Sequence, residues 1–141
     1  MAIHPYLFFS GNCREAFTRY HEIFGGELTL LRMGDMPAAE GPVPDDQADL
    51  VMHGALSFGD NLLMASDDPT GTGGPVQGVA VSYSLDDPAE TQRVFEALAD
   101  GGKVTLPIGE TFWSPMFGMC VDRFGMPWMV GVEGDSPPVT S

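Results

Sequence analysis

Two similar stretches, NCREAFTRYHEIFGG at residues 12–26 and DPAETQRVFEALADGG at residues 87–102, decide the fold of this chain. Each starts with a helix-capping residue followed three positions later by glutamate, continues with apolar residues at helical spacing and ends in a glycine pair. The capping boxes Asn12–Glu15 and Asp87–Glu90 therefore predict two amphipathic helices. Because the helix starts and the glycine pairs are separated by almost the same distance in sequence, the pattern indicates an internal repeat.

The segments around the two helices extend this repeat to whole modules. Strands are predicted at residues 3–9, 27–33, 50–58 and 62–66 in the first half and at 79–83, 103–108, 116–121 and 127–132 in the second. This order predicts one domain, residues 1–141, with an α+β fold of two βαβββ modules at about residues 3–67 and 77–133. One helix covers one face of a four-stranded sheet, so we expect the two mixed sheets to curl around a shared cavity that binds a ligand.

Composition narrows the class of protein. The chain has 141 residues, with twenty acidic and six basic side chains and a formal net charge of −14. Repulsion from phosphate acts against nucleic acid and anionic membrane surfaces, so neither is an expected partner. No apolar run is long enough to span a membrane, and the two cysteines form no disulfide or metal motif. We expect a cytoplasmic protein with a mobile loop at residues 35–46 and a flexible tail at 134–141.

Three groups of residues resemble a known family. They are Pro5-Tyr6-Leu7-Phe8-Phe9 with Gly11-Asn12 and Ala16, Phe58-Gly59 leading to Leu63-Met64-Ala65-Ser66-Asp67, and Glu110-Thr111-Phe112-Trp113 followed by Asp122-x-Phe124-Gly125-x-x-Trp128. With the repeat, they resemble the PhnB-like subgroup of the vicinal-oxygen-chelate superfamily, which includes glyoxalase I, fosfomycin- and bleomycin-resistance proteins and extradiol dioxygenases. The resemblance implies the glyoxalase-like fold and a homodimer, in some members with modules exchanged between chains.

The superfamily also implies a mechanism in which a divalent metal, held by His, Glu or Gln side chains, chelates oxygens of the substrate. The corresponding positions in this chain are Pro5, Met64 with Ser66 next to it, Ala80 and Met129. None of these side chains is an imidazole or a carboxylate, which are the ligands that Mg²⁺, Mn²⁺, Ni²⁺ and Zn²⁺ require. We therefore expect no bound metal and no cofactor.

The PhnB-like subgroup is often labelled as similar to 3-demethylubiquinone methyltransferase, but the residues do not support methyl transfer. Binding of S-adenosylmethionine in the common doubly wound fold needs a glycine-rich turn between a strand and a helix. The glycine-rich segment 71–75 precedes a predicted strand instead. Methyltransferase activity is not expected.

His53 is the main candidate catalytic residue. Across a hairpin with a two-residue turn, His53 shares a face with Met64 and Ser66, so it points into the predicted cavity. Imidazole exchanges protons near neutral pH and can act as a general base or orient a substrate oxygen. The alternative is a structural histidine that is hydrogen-bonded to Ser66 or to a backbone carbonyl.

Further residues are expected to contact the ligand. Cys120 is predicted to share the inner face with Met129, although a buried filler is the alternative because no base lies next to it in sequence. Trp113 is expected to form a wall or lid of the cavity. The predicted ligand-binding set is Phe9, Met64, Ser66, Trp113, Cys120 and Met129.

Three functions remain open at this stage, and each involves a different use of the cavity. The first is an enzyme acting on a small organic molecule without a metal, with His53 as acid or base. The second is a protein that sequesters a hydrophobic or aromatic compound, as bleomycin-resistance relatives suggest. The third is a degenerate scaffold with no ligand of its own.

Overall fold

The chain divides into two compact units, Met1–Gly74 and Pro75–Ser141. The computed structural model describes residues 2–35, 44–68 and 76–133. Most of the predicted mobile loop, the glycine-rich segment 71–75 and the predicted tail therefore lie outside the described residues. Within those ranges, each unit holds one four-stranded mixed sheet and one α-helix.

Both units repeat the same order of elements. Unit one contains β1 (Tyr6–Phe9), α1 (Cys13–Phe24), β2 (Glu27–Arg32), β3 (Val51–Phe58) and β4 (Asn61–Asp67). Unit two contains β5 (Val81–Leu85), α2 (Pro88–Ala99), β6 (Lys103–Gly109), β7 (Phe117–Val121) and β8 (Pro127–Val132). The first strand of each unit starts later than predicted, at Tyr6 and Val81, because the residues before them make no ladder pairs.

The two sheets also share one topology. The strand orders are β1-β4-β3-β2 and β5-β8-β7-β6. The first strand of each unit pairs in parallel with the last, and the remaining neighbours are antiparallel. Two parallel strands cannot be joined by a tight turn, so the chain must cross over between them. In each unit the helix is the first element of this crossover connection. The predicted βαβββ modules are therefore present in both halves of the chain.

Each helix covers one face of its own sheet. The side chains of Phe17 and Tyr20 on α1 are fully buried, and burial of each stabilises the fold by roughly 1.5–3 kcal/mol. Other buried residues of unit one are Leu7, Phe9, Cys13, Ala16, Ile23, Val51, Leu56, Leu63 and Ala65. In unit two they include Val94, Phe95, Leu98, Cys120, Trp128, Val130 and Val132. We call the opposite face of each sheet its open face. Neither α1 nor α2, nor any other helix in the described ranges, is long and apolar enough to cross a membrane.

The predicted capping box at α1 is wrong. Asn12 is the N-cap residue, but its side chain makes no capping hydrogen bond. Instead Oδ1 of Asp67 accepts hydrogen bonds from the backbone N–H groups of Gly11 at 2.9 Å and Cys13 at 3.0 Å. Oδ2 accepts a third from Val51 N–H at 2.9 Å. A carboxylate accepts these charge-assisted bonds more strongly than an amide, so the long-range partner replaces the local one.

At α2 half of the predicted box is present. Oδ1 of Asp87 accepts a hydrogen bond from Ala89 N–H at 3.0 Å, and Pro88 occupies the first helical turn. Glu90 does not return to the cap, because its carboxylate pairs with Arg93 one turn later. The predicted start of α2 is therefore confirmed, but the predicted hydrogen bond between Glu90 and the cap is wrong.

The Asp122-x-Phe124-Gly125-x-x-Trp128 motif closes the turn between β7 and β8. Oδ1 of Asp122 accepts hydrogen bonds from Phe124 N–H and Met126 N–H, both at 2.9 Å. Oδ2 accepts one from the indole Nε1–H of Trp128 at 2.9 Å. Gly125 has a φ of +87°, which a side chain would disfavour. The spacing of the motif is thus explained by structure.

Replacing Asp67 by asparagine should lower the free energy of unfolding by about 2–3 kcal/mol. The amide keeps one acceptor oxygen but turns N–H donors toward backbone donors that are buried. Asp60, which is exposed in the turn between β3 and β4, provides the matched control Asp60→Asn. Urea unfolding followed by circular dichroism measures both variants, and an equal small loss in the two would contradict the assigned role of Asp67.

Candidate functional site

The open face of unit one carries an aromatic and polar cluster. Tyr6 pairs with Met64 and Phe8 pairs with Ser66 across β1 and β4, while Ala55 of β3 pairs with Met64. Paired residues project from the same face of a sheet, so these side chains share the open face. His53 lies two residues before Ala55 and joins them. The register thus brings His53, Met64 and Ser66 to one face, as the two-residue turn predicts.

A register irregularity supports the orientation of His53. The pairing of β2 and β3 shifts between Leu31 and Arg32, where His53 pairs with Leu31 and Val51 pairs with Arg32. Val51 is consequently buried in the core, whereas His53 is half-buried on the open face. The extra residue of β3 lies between Val51 and His53, so it turns Val51 toward the core while His53 keeps the face that the hairpin gives it.

Tyr6 is the residue that the sequence interpretation missed. Its hydroxyl oxygen lies 3.3 Å from Nδ1 of His53, and the two ring centroids are 5.9 Å apart. The Phe8 ring lies 5.2 Å from the Tyr6 ring and is 65% exposed. His53 therefore has a phenol as its hydrogen-bond partner, and not Ser66 or a carbonyl as the structural alternative supposed. The sequence of β1 holds no signal that separates Tyr6 and Phe8 from their neighbours, because all four residues are aromatic or apolar, and only the pairing with β4 assigns them to the open face.

The predicted placement of Phe9 on the ligand face is wrong. Phe9 is only 4% exposed, and its ring packs edge-on against Phe17 of α1 with centroids 6.2 Å apart. Successive strand residues point to opposite faces, so Phe9 belongs to the core and Phe8 takes the open face.

The predicted common face of Cys120 and Met129 is also wrong. Cys120 pairs with Trp128, and Met119 pairs with Met129. The five residues 122–126 separate the paired residues Val121 and Pro127, and an odd number of turn residues places two even-numbered or two odd-numbered residues opposite each other. Cys120 therefore lies with Trp128 in the core, and the filler alternative describes it.

Neither cysteine is suited to nucleophilic chemistry. Burial and, to a smaller extent, the charge of Asp67 raise the pKa of the Cys13 thiol to about 12, against the opposing charge of Arg14. Burial and the charge of Asp122 raise the pKa of the Cys120 thiol to about 11. A thiol with a raised pKa stays protonated at neutral pH, and the thiol form is a poor nucleophile.

The open face of unit two carries apolar side chains beside the two serines of β5. Met129 and Met119 lie side by side on it, and Phe117 of β7 has the same parity as Met119. The ring of Trp113 packs edge-on against Phe117 with centroids 5.3 Å apart. Phe112, which is 87% exposed, packs on Trp113 at 4.7 Å. Two of the predicted contacts, Trp113 and Met129, thus belong to a surface of thioethers and aromatic rings.

The residues present do not fit the hard divalent metal that the superfamily implies. Met64 and Met129 are on the open faces of their units but offer thioether sulfur, which is a soft ligand. The carbonyl oxygen of Pro5 already accepts a hydrogen bond from Met64 N–H at 3.2 Å. In the described part of the chain, no three His, Cys, Asp or Glu side chains gather as a metal-binding group.

The two thiols should resist alkylation in the folded protein. An ordinary thiol has a pKa of 9.0, so values near 11 and 12 reduce the thiolate fraction at about pH 8 by at least about 100-fold. Iodoacetamide labelling, followed by mass spectrometry, should be slower by that factor than in urea-denatured protein. Rapid labelling of Cys120 in the native state would contradict its assignment to the core.

Comparison with known proteins identifies the relatives of this chain. The sequence profile of the 3-demethylubiquinone-9 3-methyltransferase family matches residues 1–131. Protein YjdN of Escherichia coli strain K12 is 31% identical over 147 residues, which cover 97% of this chain and 99% of that protein. Protein PA1353 from Pseudomonas aeruginosa is 46% identical, and its crystal structure matches with a TM-score of 0.85 over 96% of this chain and 99% of that chain.

More distant structures share the fold. A PhnB protein from Bacillus cereus is 21% identical and matches with a TM-score of 0.73, covering 94% of this chain and 99% of that chain. A glyoxylase/bleomycin resistance protein/dioxygenase domain from Frankia sp. EAN1pec is 15% identical and shares the two-module α+β fold, with a TM-score of 0.62 over 95% of this chain and 98% of that chain. The predicted fold class is confirmed by these matches. The chain belongs to the 3-demethylubiquinone-9 3-methyltransferase-like family.

Proposed function

We propose that the protein binds a small organic molecule with an aromatic or apolar part on the open face of unit one. The observation that carries this proposal is the Tyr6–His53 pair, with its 3.3 Å contact, beside the exposed ring of Phe8. A few polar groups set in an apolar surface are the usual composition of a small-molecule site. Predicted contacts Met64 and Ser66 lie on the same face and belong to the proposed site.

The chemistry of the face also favours one kind of ligand. Phe8 and Tyr6 offer ring surfaces, and the Met64 side chain is flexible and polarisable enough to adapt to an irregular partner. The formal net charge of −14 repels anions at long range. The proposed ligand is therefore neutral or cationic, with an aromatic or alicyclic part that packs on the rings.

His53 is the proposed acid or base if the bound molecule is also a substrate. Its imidazole is half-buried and in contact with a phenol, which are suitable conditions for proton exchange with a bound oxygen. Non-catalytic sequestration is the second candidate function. It is favoured by the thioethers of Met64 and Met129 at the positions where the superfamily places metal ligands, because thioethers support packing and not Lewis-acid chemistry.

We also propose that two copies associate and that the protein works in the cytoplasm. Ile3 and Val79, which precede the first strand of each unit, are exposed apolar residues and support a contact with a second copy. Cys13 and Cys120 are both free thiols, which is typical of a reducing compartment. Light scattering after size-exclusion chromatography measures the mass, and a monomer at micromolar concentration would contradict the dimer.

Acetophenone, a neutral aromatic ketone, should bind to this face. Titration with acetophenone of protein labelled with ¹³C at the methionine methyl groups should produce a saturable shift of the Met64 NMR signal. The Met64→Leu variant lacks this signal and so identifies it. Phe8→Ala should weaken binding about five-fold or more, because it removes most of the exposed ring surface. Phe112→Ala removes an exposed ring from unit two and is the matched control. If no saturable shift occurs at Met64, the scaffold alternative is favoured.

Purified protein should contain less than about 0.1 equivalent of divalent metal per chain, because thioether and backbone groups bind Zn²⁺, Ni²⁺ and Mn²⁺ weakly. The measurement is elemental analysis of protein produced with each metal in the medium and purified without chelator. One equivalent of any of these metals, retained through dialysis, would contradict the proposed metal-free site.

A further inference from the structure

We infer that Tyr6 is a positioning residue that holds neutral His53 with its proton on Nε2, so that the open face of unit one selects ligands that offer a hydrogen-bond acceptor. This inference rests on the proposed function of the same face. It adds the class of ligand, which is a neutral aromatic or apolar molecule with a carbonyl, ether or similar oxygen.

The contact between Tyr6 and His53 is a long-range feature of the sheet. The two residues are on β1 and β3, and β4 lies between these strands. Tyr6 pairs with Met64 of β4, and Met64 pairs with Ala55 of β3. The phenol therefore reaches across one strand to bring its oxygen 3.3 Å from Nδ1. The centroid of the Tyr6 ring lies 5.2 Å from that of the Phe8 ring and 5.9 Å from that of the His53 ring, so Tyr6 has two aromatic neighbours.

The direction of the hydrogen bond follows from the two groups. Neutral imidazole has one nitrogen that donates and one that accepts, while a phenol hydroxyl can do either. The unprotonated imidazole nitrogen is a stronger acceptor than a phenol oxygen, and the phenol O–H is a stronger donor than the imidazole N–H. The favoured arrangement therefore has Tyr6 O–H donating to Nδ1, which leaves the ring proton on Nε2.

Nε2–H is then available to a ligand. Among the described residues, no protein group other than the Tyr6 hydroxyl is hydrogen-bonded to the His53 ring. A buried or half-buried donor that meets a bound molecule without an acceptor loses its water without replacement, which lowers affinity. His53 accordingly acts first as a donor to the ligand, and acts as a base only after a change of tautomer.

Nitrogen NMR tests the tautomer without any ligand. At about pH 8.5 an ordinary histidine is neutral, and long-range ¹H–¹⁵N spectra distinguish the two tautomers. His21 provides an internal reference, because its Nε2 lies 3.0 Å from the carbonyl oxygen of Gly26, which can only accept. His53 should show the same Nε2–H pattern. In Tyr6→Phe the Nδ1 signal should move toward the value of an unbonded nitrogen, while Tyr83→Phe in unit two should leave it unchanged.

Two outcomes of that experiment would overturn the inference. One is an Nδ1–H tautomer for His53 in the wild-type protein. The other is an Nδ1 signal that does not respond to Tyr6→Phe, which would mean that the hydrogen bond is absent in solution. Neither reading depends on whether a ligand binds, so the tautomer is tested separately from the proposed function.

A matched pair of probes tests the selection. Acetophenone and ethylbenzene have similar size and shape, but only acetophenone carries an acceptor oxygen. Acetophenone should bind the wild-type protein about five-fold more tightly than ethylbenzene does, as measured by the shift of the Met64 methyl signal. The ratio should fall to about one in His53→Ala and should be reduced in Tyr6→Phe. The wild-type ratio alone tests the inference, so a failure of either variant to fold does not remove the test.

The outcomes separate the inference from the proposed function. If both probes bind with equal affinity to the wild-type protein, the face binds apolar molecules and the selection by His53 is wrong. If ethylbenzene binds more tightly, the selection is also wrong. If neither probe shifts the Met64 signal, both the inference and the proposed function are overturned.

Discussion

The buried carboxylate of Asp67 is the interaction on which the rest of unit one depends. Its two oxygens bind backbone N–H groups at the start of α1 and at the start of β3. Asp67 also pairs with Phe9 across β1 and β4, and the following N–H of Asp68 donates to the carbonyl of Phe9 at 2.7 Å. The Asp67 side chain thus joins the end of β4 to the start of α1 and the start of β3. Because a slip of one residue would turn every side chain to the other face, this junction determines that Tyr6 and Phe8 face outward.

Unit two uses a buried carboxylate differently. Asp122 lies 5% exposed in the turn between β7 and β8 and binds two N–H groups of that turn together with the indole of Trp128. The turn therefore has a defined length, and that length determines which residues of the two strands oppose each other. In both units a structural carboxylate controls which side chains reach the open face, although neither carboxylate lies on that face.

Periodicity was sufficient to predict the two helices, the hairpins and the repeat, because these features depend on local sequence and on apolar patterning. The error at the start of α1 arose because a distant group replaced a local one. Asn12 has the correct position for a cap, but the stronger acceptor Asp67 arrives from the end of β4. The error at Cys120 is local, because the predicted strand ends at 121 and 127 leave five turn residues, and that odd number places Cys120 opposite Trp128 and not Met129.

On the open face of unit one, some neighbours are set by local pairing and others by pairing between strands that are distant in sequence. His53, Met64 and Ser66 were brought together by the parity of one hairpin, which is local. The partner of His53 comes from β1, which pairs with β4 only through the parallel crossover, so nothing near His53 in sequence indicates Tyr6. The prediction that Phe9, and not Phe8, contacts the ligand is wrong for a related reason. Two adjacent phenylalanines do not indicate which of them faces the core until the pairing of β1 is known.

The side chains at the positions where the superfamily places metal ligands determine what the proposed site can attract. A divalent ion attracts oxygens through charge, so it tolerates an otherwise polar surface. Met64 and Met129 replace this attraction with dispersion forces, which require close contact with an apolar partner. On such a surface, one oriented hydrogen-bond donor discriminates strongly between ligands because water is displaced around it. In the proposed site the Tyr6–His53 pair supplies that donor, so a hydrogen bond of fixed direction takes the place of the charge of a metal ion.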